Sequence, residues 1–242
     1  MNARPRWLAP NLWFWAAVLA GVSYCLPAWT GWRGPIITVL SFVAPPSWLD
    51  PSFIFLIWKG AGVGLLAIYA ATVVASPNAR WLAAIMACGA MGDVVLDAVS
   101  MQAGAAWFAL GHLLSIRLYW RNRRSAVEAS QLARFLQAWP FWLGVPTALA
   151  ITAQLAHADP RAGLAIGYTL LVALMAAFAW RSRFSRRLVG LGAFLFLVSD
   201  LLIFTRTAGP VALREVAALL VWPLYFGGQA LIARGVVSGT SR

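Results

Sequence analysis

Five ionisable side chains interrupt long apolar runs in this chain: Lys59, Asp93, Asp97, His112 and Asp200. A charge in hydrocarbon costs at least about 2.5–3.5 kcal/mol per residue even on lenient insertion scales, so groups retained there are functional candidates by default. Asp93 and Asp97 stand four residues apart and share one face of a helix. Carboxylates, an amine and an imidazole at one depth can pair charges, pass protons or drive proton-coupled transport. Each also has a plainer structural reading. Asp93 and Lys59 would make an ion pair, or Lys59 would snorkel to the headgroups. His112 would bond a backbone carbonyl, and Asp97 would be solvated near the interface. Asp200 is harder to explain this way, because its own helix offers no basic residue within a turn. His112 and His157 are too few for a convincing zinc site, so no metal and no cofactor is expected. Cys25 and Cys88 form no metal or redox spacing and read as small packing residues.

The elements that must position these groups are transmembrane helices. The chain is 62% apolar and only 11% charged, where soluble domains carry about 25% charged residues. Runs near 20 residues, the length that crosses a bilayer, are Asn11 to Thr30, Phe53 to Ala75, Trp81 to Ser100 and Ala103 to Trp120, then Leu136 to Ala156, Arg161 to Trp180, Leu188 to Thr205 and Val211 to Ala233. The fold class is therefore all-α, a bundle of eight spans in a single domain over residues 1–242, which a duplication would divide into two four-helix halves. Residues 31–52 form an extended external loop with a short interfacial piece, 36–44, closed by Pro45 and Pro46. The first span reads as an uncleaved helix, since no clean small-x-small site follows it.

The net charge of +12 does not mark a nucleic-acid binder, because the arginines fall in short clusters between spans. Arg121, Arg123, Arg124 and Arg134 form one cluster, and Arg181, Arg183, Arg186 and Arg187 another. With the N-terminus inside, fourteen arginines face the cytoplasm and four face out, which fixes the orientation and places both termini in the cytoplasm. The partners implied are anionic membrane lipids. The composition suggests a bacterial inner membrane. Trp81, Trp120 and Trp180 sit at span ends, as interfacial anchors do.

Helix rise places Lys59, Asp93, His112, Tyr168 and Asp200 in one layer roughly 9–14 Å beneath the external surface. Such a layer is a buried polar cavity. The third and seventh spans each carry a mid-membrane Asp in a Gly/Ala-rich setting, as a duplicated unit would. Gly89, Gly92, Gly190 and Gly192 allow close helix approach.

In order and placement the chain resembles the YhhN-type lysoplasmalogenase family of eight-span proteins, which includes the mammalian transmembrane lysoplasmalogenases. The matching segments are Gly92-Asp93-Val94-Val95-Leu96, Phe108-Ala109-Leu110-Gly111-His112, Tyr168 with Met175, Gly192-Ala193 leading to Ser199-Asp200-Leu201-Leu202, and Tyr225-Phe226-Gly227-Gly228-Gln229-Ala230-Leu231-Ile232. The chain departs from the family pattern at Gly60, where Pro is usual, and at Ser115, where Tyr is common. The resemblance implies hydrolysis of the vinyl ether bond of a lysophospholipid. One carboxyl protonates the double bond and the other activates water, as paired carboxylates do in glycosidases. Asp200, in the more apolar setting, is assigned as the acid and Asp93, beside Lys59, as the base, with the reverse assignment left open. His112, Tyr168, Tyr225, Gln229, Lys59 and Asp97 would bind substrate and water. A transporter or lipid-binding protein built on the same polar layer is the alternative, although no pair of broken helices in corresponding positions supports transport.

Overall fold

The computed structural model describes residues 8–30, 51–72, 76–124, 131–157 and 159–240. The described residues are almost wholly helical, and among them the only β-type pairing is an isolated bridge between Arg123 and Ser182. In chain order the α-helices are α1 Leu8–Ser23, α2 Cys25–Thr30, α3 Pro51–Thr72, α4 Pro77–Ala98, α5 Met101–Arg121, α6 Gln131–Gln137, α7 Val145–Ala156, α8 Ala162–Arg181, α9 Leu191–Ala208 and α10 Val211–Thr240. Five helical stretches are long and apolar enough to cross a membrane, as an integral membrane protein requires: Phe53–Thr72, Pro77–Ala98, Ala162–Arg181, Arg186–Ala208 and Val211–Thr240. Of the other expected spans, α5 is long but diluted by Gln102, His112, Ser115 and Arg117, and residues 11–23 and 140–156 form shorter apolar helices. Most of the expected external loop, with its interfacial piece, lies outside the described residues.

Proline explains where the helices depart from the expected runs. The first run breaks at Tyr24, three residues before Pro27, which has no N–H to give the carbonyl of Ser23. The fifth run is interrupted by a π-helical turn, Pro140–Gly144, in which the amide of Val145 donates to the carbonyl of Pro140. Pro223 stands inside α10 and frees the carbonyl of Leu219, which accepts instead from the Trp29 indole at 3.1 Å. α10 runs on to Thr240, past the expected end at Ala233, because the residues beyond remain small or apolar while Arg234 lies over the Phe14 ring.

Helices α3, α4 and α5 pack in sequence, α9 packs along α10, and α10 also meets α3 and α4. α8 closes the ring against α5, α7 and α9. Ser100 caps α5 by accepting from the amide of Ala103 at 3.1 Å, which sets the tight reversal from α4. At the α9–α10 crossing, a β-carbon on Gly192 would meet the carbonyl of Gly228 at 2.6 Å, so only glycine permits this approach. The core holds Leu66, Leu82, Met86, Val172, Phe196 and Phe226, while Leu12, Trp15, Leu19, Ile57, Leu113 and Leu213 are exposed on the outside. That inversion suits a hydrocarbon surround. Cys25 and Cys88 are buried and free, as packing residues.

Charges separate along the helices. Arg117 lies over Trp81, Arg123 over Trp120 and Arg186 over Trp180, at 5.0–5.5 Å, all at one end. Lys59, Asp97 and the starts of α8 and α10 lie at the other end.

Candidate functional site

Asp93 on α4 and Asp200 on α9 are both buried, at 3% and 8% exposure. Each carboxylate accepts a hydrogen bond from a tyrosine on another helix. Tyr225 of α10 donates to Asp93 Oδ2 at 2.8 Å, and Tyr168 of α8 donates to Asp200 Oδ2 at 3.0 Å. A hydroxyl donor meets the need of a carboxyl group taken out of water. The second set extends to His112 of α5, whose Nε2 lies 3.5 Å from the Tyr168 hydroxyl. The first extends to Gln229, one turn beyond Tyr225, whose amide interacts with that tyrosine hydroxyl.

Between the two sets stand Phe108 and Phe196. The Phe196 ring centroid is 5.1 Å from that of Tyr225 and 4.9 Å from that of His112, both edge-on. Phe108 stands 5.8 Å from Tyr225 and 6.4 Å from Phe196. It can reach this position because Gly92 has no side chain: a β-carbon there would lie 2.8 Å from the Phe108 ring.

Behind the rings lies a cavity of about 20 Å³, lined among others by Gly89, Phe108, His112, Ser115, Phe196 and Gln229. It has room for a single water and polar partners to hold one. Gly89 and Phe196 precede Asp93 and Asp200 by four residues, so the cavity sits one helical turn from each carboxylate. The polar layer is thus formed by α4, α5, α8, α9 and α10, whereas the rise arithmetic drew on Lys59 of α3 and did not include α10.

Three expectations are corrected. Lys59 does not hold Asp93 directly: its Nζ pairs with Asp97 Oδ2 at 2.8 Å, while the direct partner of Asp93 is Tyr225. Asp97 is therefore ion-paired rather than merely solvated. It lies one turn outward of Asp93 and is 35% exposed, where it meets a lysine side chain that is itself only 14% exposed. His112 meets a tyrosine hydroxyl rather than a backbone carbonyl. Sequence reasoning did not single out Phe196 as the wall between the two halves. Its position one turn before Asp200, matching Gly89 before Asp93, is the signal that could have found it. Among the described residues no group of three or more His, Cys, Asp or Glu comes together to hold a metal ion.

Neither a curated protein nor a solved structure matches the chain. The stretch that carries all of these side chains does match a family model, over residues 54–236. From Lys59 through Gln229 the whole polar layer falls inside that match, and the chain belongs to the YhhN family.

Proposed function

We propose that the chain is a lysoplasmalogenase-like hydrolase of eight membrane spans, with both termini in the cytoplasm, that cleaves the vinyl ether bond of a lysophospholipid. The observation that carries this reading is the pair of buried aspartates, each held by a tyrosine hydroxyl at 2.8 or 3.0 Å, on either side of Phe196 in a chain of the YhhN family. Asp200 has a tyrosine and, beyond it, a histidine for neighbours, whereas the Lys59–Asp97 pair lies one turn from Asp93, and two carboxylates in unlike settings are what acid-and-base cleavage of an ether needs.

In this reading Asp200 is the acid and gives its proton to the β-carbon of the vinyl ether. The electron pair of the double bond forms the new C–H bond, and the ether oxygen shares the positive charge left on the neighbouring carbon. Asp93, ionised, stabilises that cation and takes a proton from the attacking water. The resulting hemiacetal collapses as its hydroxyl proton passes to Asp200 and Asp93 returns its proton to the leaving glycerol oxygen, which restores both carboxyls and releases a fatty aldehyde and a glycerophospho-alcohol with one water consumed. The water waits in the cavity beside His112 and Gln229, one turn from both carboxylates. Tyr168 and Tyr225 fix the carboxylates, and Lys59 with Asp97 meets the headgroup at the outer mouth. A cavity of about 20 Å³ admits a water and no lipid, so Phe108 and Phe196 move aside when substrate enters.

The test is incubation of the purified protein with a 1-alkenyl lysophosphatidylethanolamine in D2O. The reading expects fatty aldehyde carrying one deuterium on the carbon next to the carbonyl. It expects none from the saturated 1-alkyl analogue. No aldehyde from folded protein would remove the hydrolase reading and leave a transporter or lipid-binding role for the same groups.

A further inference from the structure

At the arginine-rich end of the helices an open cavity of about 800 Å³ is walled by Ser76, Asn78, Arg121, Asn122, Arg124 and Arg183, together with the 184–188 turn and the last turns of α10. Asn78 lies fifteen residues before Asp93 on α4, which separates this cavity from the aspartates by about 22 Å along the helix.

The walls are fixed by bonds that leave the guanidinium groups of Arg121 and Arg183 available. Asn78 and Asn122 exchange side-chain amide bonds at 3.1 and 3.0 Å, and Asn122 also donates to the carbonyl of Leu118 at 2.8 Å. The backbone of Arg183 donates to the carbonyl of Asn122 at 2.7 Å, and that of Arg124 to Arg181 at 3.2 Å. These bonds tie the end of α5 to the turn after α8, over the buried ring of Phe184. Arg124 is held by the Phe184 carbonyl at 3.3 Å. Arg121 and Arg183 form no salt bridge among the described residues. The described carboxylates, Asp93, Asp97, Asp159, Asp200 and Glu215, all belong to the other half of the molecule, and Glu128 lies outside the described residues. Ser76 and Ser185 add hydroxyls at two helix starts, and neither is spent on capping its helix.

The described walls therefore offer guanidinium, amide and hydroxyl groups and no carboxylate. That set suits a phosphate, which arginine meets with a planar two-pronged donor. The cavity volume is within the range of small-molecule sites, and exceeds what one bare phosphate fills. We propose that this cavity binds a phosphate group with a short organic substituent, presented either by an anionic lipid headgroup or by a free glycerophosphate. The proposal is independent of the chemistry at the aspartates.

The experiment has two arms on the full-length protein. In detergent, calorimetric titration with sn-glycerol 3-phosphate measures the free phosphoester. In phosphatidylcholine nanodiscs containing phosphatidylglycerol, native mass spectrometry counts the anionic lipids retained. Both are repeated with Arg121→Gln/Arg183→Gln and with Arg181→Gln/Arg187→Gln, exposed arginines outside the cavity that carry the same charge loss. Arg183→Gln alone serves if the first double variant fails to fold. Binding in at least one arm, weakened about tenfold or more by the cavity pair and by less than about twofold by the control pair, is the expected result. The arm that responds identifies the source of the phosphate. No binding in either arm, or equal weakening by both pairs, overturns the proposal.

Discussion

Around Asp93 and Asp200 the polar side chains are buried and bonded mainly to one another, across α4, α5, α8, α9 and α10. Around Arg121 and Arg183 the positive side chains are exposed, and the scaffold is held by backbone and asparagine bonds beneath them. The same helices carry both regions. In the buried network, removing one atom leaves its partner without a bond in a place bulk solvent does not reach, so the cost is large and local. At the open end, solvent replaces whatever a substitution removes, and single charges are nearly interchangeable for stability. A buried polar network is thus the expensive feature of this molecule, and its retention needs a functional reason.

Substitutions can break this contrast, and the largest effect is expected at the aspartates. Asp93→Asn and Asp200→Asn each keep shape and lose proton transfer, so aldehyde release should fall by about 10²–10⁴-fold in a turnover assay. Next come Tyr225→Phe and Tyr168→Phe, which leave one carboxylate each without its donor. Each should cost about 1–3 kcal/mol, read as a lowered thermal midpoint in detergent. A midpoint unchanged in both would show that the tyrosine bonds are not needed to bury the charge. A double-mutant cycle on Lys59→Met and Asp97→Asn should give a coupling of about 0–1 kcal/mol, because the Asp97 side chain is 35% exposed. A larger coupling would place this pair with the buried network. Smallest is Arg121→Gln or Arg183→Gln, expected to shift stability by less than about 0.5 kcal/mol by the same measurement.

The shared layer was legible because helix rise is fixed and the span ends are marked by arginine and tryptophan. Counting residues inward from those ends brings Asp93, His112, Tyr168 and Asp200 to one depth, and the structure bonds Tyr168 to both Asp200 and His112. Depth does not give rotation, however. Asp93 and Asp97 share a helix face one turn apart, and a lysine stem can reach either, so only packing decides that Lys59 takes Asp97. The π-turn at Pro140 and the break at Tyr24 were hidden for another reason. An apolar run that reads as continuous need not keep a continuous hydrogen-bond ladder once proline removes a donor. The Asn78–Asn122 bond joins residues 44 apart and belongs to no periodic pattern, so nothing local announced the cavity it supports.

Whether Asp93 and Asp200 act as one acid–base unit is tested most directly by aldehyde release from wild type, Asp93→Asn, Asp200→Asn and the double variant side by side. Groups that act as a unit are strongly non-additive. Each single variant should lose nearly all activity, and the double variant should be no worse than either single one. Near-wild-type turnover in either single variant, or losses that multiply in the double, would contradict it.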